Sequence, residues 1–494
     1  MNTGRTEQVE PERGAVRPHS RETGVVVAGI LALGAVLRWY HVGGWPLEED
    51  ELYTLRDALD LGATAAAAGG PGIRGRPLYY LLQHLLLPLH DPTPAFLRLP
   101  PLVFALLGLW VTWSLGRRVF GEVAAGVAAL LAAVAPWLLY ESQFARYWTL
   151  IYLLAALATL LLLDATAADR RRSYALALLT LVAGVATHPT FLFPLTGVVL
   201  GLTLVGRDGA LGWRWPTRTA WSTLWVPFLA TIALGWIALQ ATGGRAALQN
   251  KESRGMSATL TLVPAIVQWL DPVIVVTALL GALLLLLAPR ASGDRRWAAL
   301  ALGGGSSTML LLFAASLRTA VYADYATAML PLVFVTAGGA VQRLSESLTR
   351  GGRAFALGAT AVLVTAVLPG MASHLSDGTR FDYRPAYTYV RSAGGRGGVL
   401  VGSPAIVARH YAPDLSYRES PTNVDTLSNW LAGIGTLWVI APYHRNGLVA
   451  DAPGLEGWLF AHCRQVLRSE RARFDYRVYR VDLYRCAGPG AAAS

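Results

Sequence analysis

The feature that most constrains this chain is a succession of apolar runs of about 17 to 25 residues, the length a helix needs to cross a bilayer. They fall at 23–40, 99–115, 122–139, 147–163, 174–187, 190–205, 220–240, 272–288, 297–317, 325–342 and 354–370. The spacing predicts about eleven membrane helices, the shortest pair flanking His188. Hydrophobic residues make up 54% of the 494 and charged residues 15%. A soluble domain carries roughly 25% charge, so a soluble core is excluded.

The net charge of +11 would suggest nucleic acid as a partner of a soluble protein. Here the arginines sit in short loops between apolar runs, with no interleaved basic and aromatic groove. They read as topology charge, and no nucleic-acid partner is expected. The tail 1–22 and every second loop after it carry about twice as many basic residues as the opposite set. The positive-inside bias therefore predicts a cytoplasmic N-terminus. With an odd number of spans, the C-terminus lies outside.

This gives three regions. Residues 1–22 read as a disordered cytoplasmic tail and 23–370 as an all-helical membrane domain. That domain has two long external loops, 41–98 and 241–271. In the first loop the apolar stretch Leu78–Leu89 reads as a helix along the membrane surface. The second is polar and ends at Asp271-Pro272, a helix-start signal. From 371 to 494 the composition changes to a soluble extracytoplasmic α/β domain. Gly398–Gly402 and Thr436–Pro442 read as strands, 454–468 as an amphipathic helix, and Phe474–Cys486 as one or two strands. Cys463 and Cys486 have no metal-binding spacing. Outside the cytoplasm they are expected to pair as a disulfide rather than stay free thiols.

The densest acidic cluster, Glu48-Glu49-Asp50-Glu51, follows the first apolar run and is bounded by Trp45 and Tyr53. Such a run is usually only a solvated loop. At a membrane face it can meet the head of a lipid-linked substrate. Glycosyl transfer needs a carboxylate to take the acceptor hydroxyl's proton. It also needs a metal ion or guanidinium to stabilise the leaving phosphate.

Several motifs stand in one order. They are Asp50-Glu51 with Tyr53, Arg76-Pro77-Leu78-Tyr79-Tyr80, Leu97-Arg98-Leu99-Pro100, Tyr140-Glu141-Ser142-Gln143-Phe144-Ala145-Arg146-Tyr147, and Tyr325 through Pro331. This series resembles the GT-C glycosyltransferases, in the branch of protein O-mannosyltransferases and aminoarabinose transferases. The resemblance covers 25 to about 345, and the tail in architecture only. It implies a GT-C membrane domain and inverting transfer of a sugar from a polyprenyl-phosphate donor to a lipid, glycan or protein acceptor. Asp50 is then the general base or acceptor contact. Glu51 orients the site, or joins Asp50 in holding a divalent metal ion such as Mg, Mn or Zn. Arg146, Arg318 and Tyr325 are candidate donor-phosphate partners.

The departures concern the other candidates. Arg76 stands where the family often has His. Phe144 replaces a usual Glu, for which Glu141 on the same helical face can compensate. Asp324 stands where the family often has Arg, with Arg318 near enough to supply the charge. Arg146 serves equally well as a snorkelling side chain, and His188 reads more simply as a solvated loop histidine than as a ligand.

Two other functions fit the composition. A transporter or lipid flippase would show internal repeats or charges at the membrane midplane; no clear repeat stands here, and the charges of interest lie at span ends. A binding protein with a membrane anchor would need far fewer spans.

Overall fold

In the computed structural model the described residues are 21–61, 77–206, 208–241, 255–317, 319, 321–393, 398–421, 423–444, 447–448, 453–470 and 479–487. A helix stands at each apolar run. Six are long and apolar enough to cross a membrane: Pro94–Val119, Trp148–Ala168, Arg218–Ile237, Gly293–Ser316, Ala323–Ser347 and Gly352–Ser376. Two bent pairs, Glu122–Val134 with Pro136–Ser142 and Leu260–Leu270 with Pro272–Leu287, raise the number to eight if each is one span. Helices Thr23–Trp39 and Pro189–Leu204 are shorter, as is Arg171–Thr187. The chain is a multi-pass membrane protein: among the described residues six to eight helices meet that length and composition, and the three shorter helices stand at the remaining apolar runs. Of the prolines near these runs, Pro136 falls inside one and breaks its helix in two.

The first bend, of 59°, shows how the fold satisfies a broken helix. Pro136 has no N–H to return to the Ala132 carbonyl. The Arg38 guanidinium, fully buried, donates to that carbonyl at 3.0 Å and to the Ala133 carbonyl at 2.9 Å. The second break, of 96°, turns on Asp271, whose φ is +76°. Its carboxylate accepts from the Val273 N–H at 2.8 Å, so Asp271 does cap the helix that begins at Pro272. The segment before it is not all loop: Gly255–Leu270 is helical, while 242–254 lies outside the described residues. The polar residues around it concealed that helix.

Close helix packing follows the small residues. A Cβ built on Gly197 would stand 1.8 Å from the Gly303 carbonyl oxygen, so helices Leu192–Leu204 and Ser292–Ser316 touch backbone to backbone. Without a hydrophobic drive inside lipid, such contact supplies the association energy.

The last long helix runs past residue 370 to Asp377. Beyond it lies a mixed sheet of β1 (Val399–Val401), β2 (Thr436–His444), β3 (Gly447–Leu448), β4 (Cys463–Glu470) and β5 (Arg480–Ala487). Its order is β1-β2-β5-β4, with β3 paired to β2. Strand β1 runs parallel to β2, and the other pairs are antiparallel. The stretch 454–468 is a short helix, Leu455–His462, followed by β4 rather than one long helix. The Cys463 and Cys486 sulfurs are bonded at 2.09 Å. Helices Arg384–Ser392 and Ala405–Tyr411 cover one sheet face. That face shares a core with Leu47, Leu52, Leu55, Leu97 and Ala145. The acidic helix that follows the first apolar run therefore packs on this helical layer, against Ala405–Tyr411.

Candidate active site

The acidic cluster opens a helix, Glu49–Leu59, with Glu48 as its N-cap. Carboxylates belong there, because the helix N-terminus carries partial positive charge and orphan N–H groups. Helical periodicity then sends the neighbours in different directions.

Glu51 points inward and is fully buried. Arg98 grips it with two N–H groups, Nε to Oε1 and Nη2 to Oε2, both at 2.8 Å. Arg380 approaches Oε2 at 3.5 Å. The N–H groups of Ala145 and Glu48 donate to it at 2.8 and 3.0 Å. Burial would raise this carboxyl's pKa, but Arg98, Arg380 and the Ala145 N–H outweigh it and hold the group below the usual carboxylate range. Arg98 also donates to the carbonyls of Val42, Trp45 and Pro46. Glu51 is thus the hub that ties the loop after the first helix to three remote segments.

Asp50 points the other way, its side chain 55% exposed, and Arg146 lies against it at 3.3 Å. Arg146 also donates to the Asp50 carbonyl at 3.2 Å. It is nearly buried and its guanidinium sits 5.1 Å from the Tyr147 ring centroid. Burial works against the charged guanidinium, yet Asp50 and nearby tyrosines push its pKa well up. Snorkelling into solvent is therefore not what Arg146 does.

Behind Arg146 stands an aromatic box. His188 stacks on Tyr147 at 5.1 Å and meets Trp148 and Tyr325 at 5.1 and 5.3 Å. It is buried, with Nδ1 held 2.7 Å from the Thr190 hydroxyl. The reading of His188 as a solvated loop residue is corrected here, because three rings enclose it.

Glu48 completes the cluster. Its Oε2 accepts from the Tyr140 hydroxyl at 3.4 Å. Burial pushes its carboxyl up to about 7; Arg380 opposes the rise, while Glu51 and Asp50 add to it. Tyr53 is pushed up to about 12, by burial and then by Glu49. Beneath these groups Gln143 donates to the carbonyls of Arg38 and Tyr40 at 2.9 and 2.7 Å. Its Oε1 must then be the acceptor toward His374 Nε2 at 3.0 Å, which assigns the imidazole proton to Nε2.

The structure thus brings Asp50, Glu51, Arg146, His188 and Tyr325 into one continuous set, joined through Tyr147. Glu141 is fully buried. Arg76 and Arg318 lie outside the described residues.

No family model matches the chain, and no curated protein matches it by sequence. Solved structures do. ArnT from Cupriavidus metallidurans in the apo state aligns with a TM-score of 0.53 at 13% identity, over 94% of this chain and 98% of that one. The same protein bound to undecaprenyl phosphate aligns with 0.50 at 14%, over 93% and 98%. The Archaeoglobus fulgidus oligosaccharyltransferase in the apo form gives 0.51 at 12%, over 84% and 69%. Arabinofuranosyltransferase AftD from Mycobacteria gives 0.50 at 18%, over 95% of this chain and 42% of that one. This chain has the GT-C fold.

Within that GT-C scaffold the donor set does not fit a metal ion bound by Asp50 and Glu51. Both Glu51 oxygens are taken by arginine and backbone N–H groups. Among the described residues no group of three or more His, Cys, Asp or Glu could hold one. The expectation of Glu51 as a metal ligand is corrected on this ground. Guanidinium groups supply positive charge at the site.

Sequence reasoning missed Arg98, Arg380 and Gln143 as parts of this cluster. Arg98 carried a signal: an arginine between leucines at the start of an apolar run needs a buried counterion. Arg380 carried none, since it lies in a polar stretch.

Proposed function

We propose that the chain is an inverting glycosyltransferase that moves a sugar from a polyprenyl-phosphate donor to an acceptor outside the cytoplasm, with residues 371–494 also outside. The observation that carries this reading is the Asp50–Arg146 pair, an exposed carboxylate 3.3 Å from a nearly buried guanidinium. One group can take a proton and the other can hold a phosphate, side by side. Asp50 stands on the helix fixed by Glu51, and Arg146 lies in the turn between helices Pro136–Ser142 and Trp148–Ala168. The fold shared with ArnT and the oligosaccharyltransferase supports the reaction class.

The reaction is a single displacement. The acceptor oxygen forms a bond to the anomeric carbon as the bond from that carbon to the phosphate oxygen breaks, with inversion. The acceptor's proton goes to Asp50, and the electron pair leaves with the polyprenyl phosphate. Arg146 stabilises the leaving anion through charge-assisted hydrogen bonds. A donor phosphate competes with Asp50 for Arg146, so donor binding frees the base. Glu51, enclosed by arginines, is a positioning residue rather than a second base. Tyr325 and His188 wall the Arg146 side, and Tyr53 borders the acidic helix.

Asp50→Asn keeps the shape and removes the base. Turnover is expected to fall at least roughly 10²-fold with unchanged expression and melting. Near-normal turnover of a well-folded Asp50→Asn protein would sink this assignment. The donor class is tested with two donors carrying one sugar: turnover with a nucleotide-linked donor and none with the polyprenyl-linked one would overturn the mechanism.

A further inference from the structure

The sheet carries a second charged feature that glycosyl transfer does not use. Pairing of β4 with β5 sets Arg464 directly opposite Arg485, and pairing of β5 with β2 sets Arg485 opposite Trp438. Residues paired in register project from the same face, so the three form a row across three strands. Both arginines are exposed. Arg485 lies 5.7 Å from the Trp438 ring centroid. Among the described residues neither arginine has a carboxylate partner. Like charges directly opposite in a sheet are destabilising. They are held together by the next register pair, the Cys463–Cys486 disulfide.

A bulge between Gln465 and Leu467 returns Leu467 to the face that carries Arg464. Leu467 lines an open groove of about 500 Å³ along helix Arg384–Ser392, together with Thr388, Tyr389 and Ser392. Tyr389 meets the Trp438 ring at 6.2 Å. At the groove's other end Arg384 is already bonded to Asp382 at 2.9 and 3.0 Å. The uncompensated charge therefore sits at the arginine pair.

We propose that Arg464 and Arg485 bind a phosphate ester, with the group it carries lying in the groove beside Tyr389. Two guanidinium forks side by side suit a dianion with three oxygens. A lone carboxylate would leave one of them uncompensated. The ester is a monoester, carried either by a soluble molecule or by phosphatidic acid in the membrane. The site stands whether or not the transfer reading holds, because its test needs no turnover.

The test compares the full-length protein with the Arg464→Gln/Arg485→Gln double variant. In detergent, both are melted with and without pyrophosphate at ionic strength matched with sodium chloride. In nanodiscs, phosphatidic acid is compared with phosphatidylcholine. The free variant is expected to melt no lower than wild type, since its repulsion is gone. Wild type is expected to gain stability from pyrophosphate or from phosphatidic acid, and that arm identifies the source. In the variant, apparent binding should weaken roughly tenfold or more. Should it fail to fold, the double Arg→Lys variant keeps the charge, loses the forks and should weaken binding in the same arm. Equal stabilisation of wild type and variant in both arms, or none in either, would overturn the proposal.

Discussion

Replacing Glu51 by Gln tests the hub most directly. The change is nearly isosteric, but it removes the charge that two fully buried arginines share. The new amide places a donor where Arg98 or Arg380 already donates, so a bond becomes a donor–donor clash. Breaking a buried ion pair by removing one partner costs about 3–5 kcal/mol. At 1.36 kcal/mol per tenfold, that is a drop of roughly two to three and a half powers of ten in the folded-to-unfolded ratio. Melting in detergent, followed by fluorescence-detected size exclusion, should show a large loss for Glu51→Gln. Glu51→Gln/Arg98→Met should recover part of it, since an apolar replacement of both partners often costs little. A single variant that melts like wild type would refute the idea that this carboxylate fixes the site. Acid should act in the same way. The Glu51 pKa is held below the usual carboxylate range, so its stabilisation is present above that range and is lost as pH falls through the lower folded pKa.

Glu48 has the opposite sign. Its pKa is raised from 4.5 to about 7, so the stability it contributes is full below 4.5 and declines as pH rises through about 7. Glu48→Gln should flatten that decline, and melting curves between pH 5 and pH 8, as roughly spaced by these values, would show an unchanged slope if the reasoning is wrong. Gly197→Val should force helices Leu192–Leu204 and Ser292–Ser316 apart and cut the yield of folded protein; normal yield and melting would contradict the close packing at Gly303. Residues 371–494 are expected outside, so protease added to intact cells should cleave there; cleavage only in inverted vesicles would reverse the topology.

The sequence made the helices legible because apolar length is a strong signal, and the acidic cluster legible because charge is rare in this chain. It could not show which carboxylate turns inward. Asp50 and Glu51 are adjacent and chemically alike, and their burial depends on Arg98 and Arg380, which approach from remote segments. The helix Gly255–Leu270 was hidden for a related reason. Its polar surroundings resemble a loop, and only packing against the rest of the bundle decides its state. His188 was misjudged because the rings enclosing it come from two other segments, Tyr147 and Trp148 before it in the chain and Tyr325 well after it.

The Glu51 hub also orders events during synthesis. Arg98 follows Glu51 by 47 residues, but Arg380 follows by 329. At a synthesis rate of about 5–20 residues per second, the second interval lasts roughly 15 to 70 seconds. Through that time the early helices are inserted with Glu51 held by one arginine, and the loop carrying Asp50 lacks its final clamp. The last long helix must be placed before Arg380 can arrive. A ribosome that stops short of residue 380 therefore leaves a membrane bundle whose acidic helix is unfinished. The proposed site is therefore incomplete until nearly the whole membrane domain has been made.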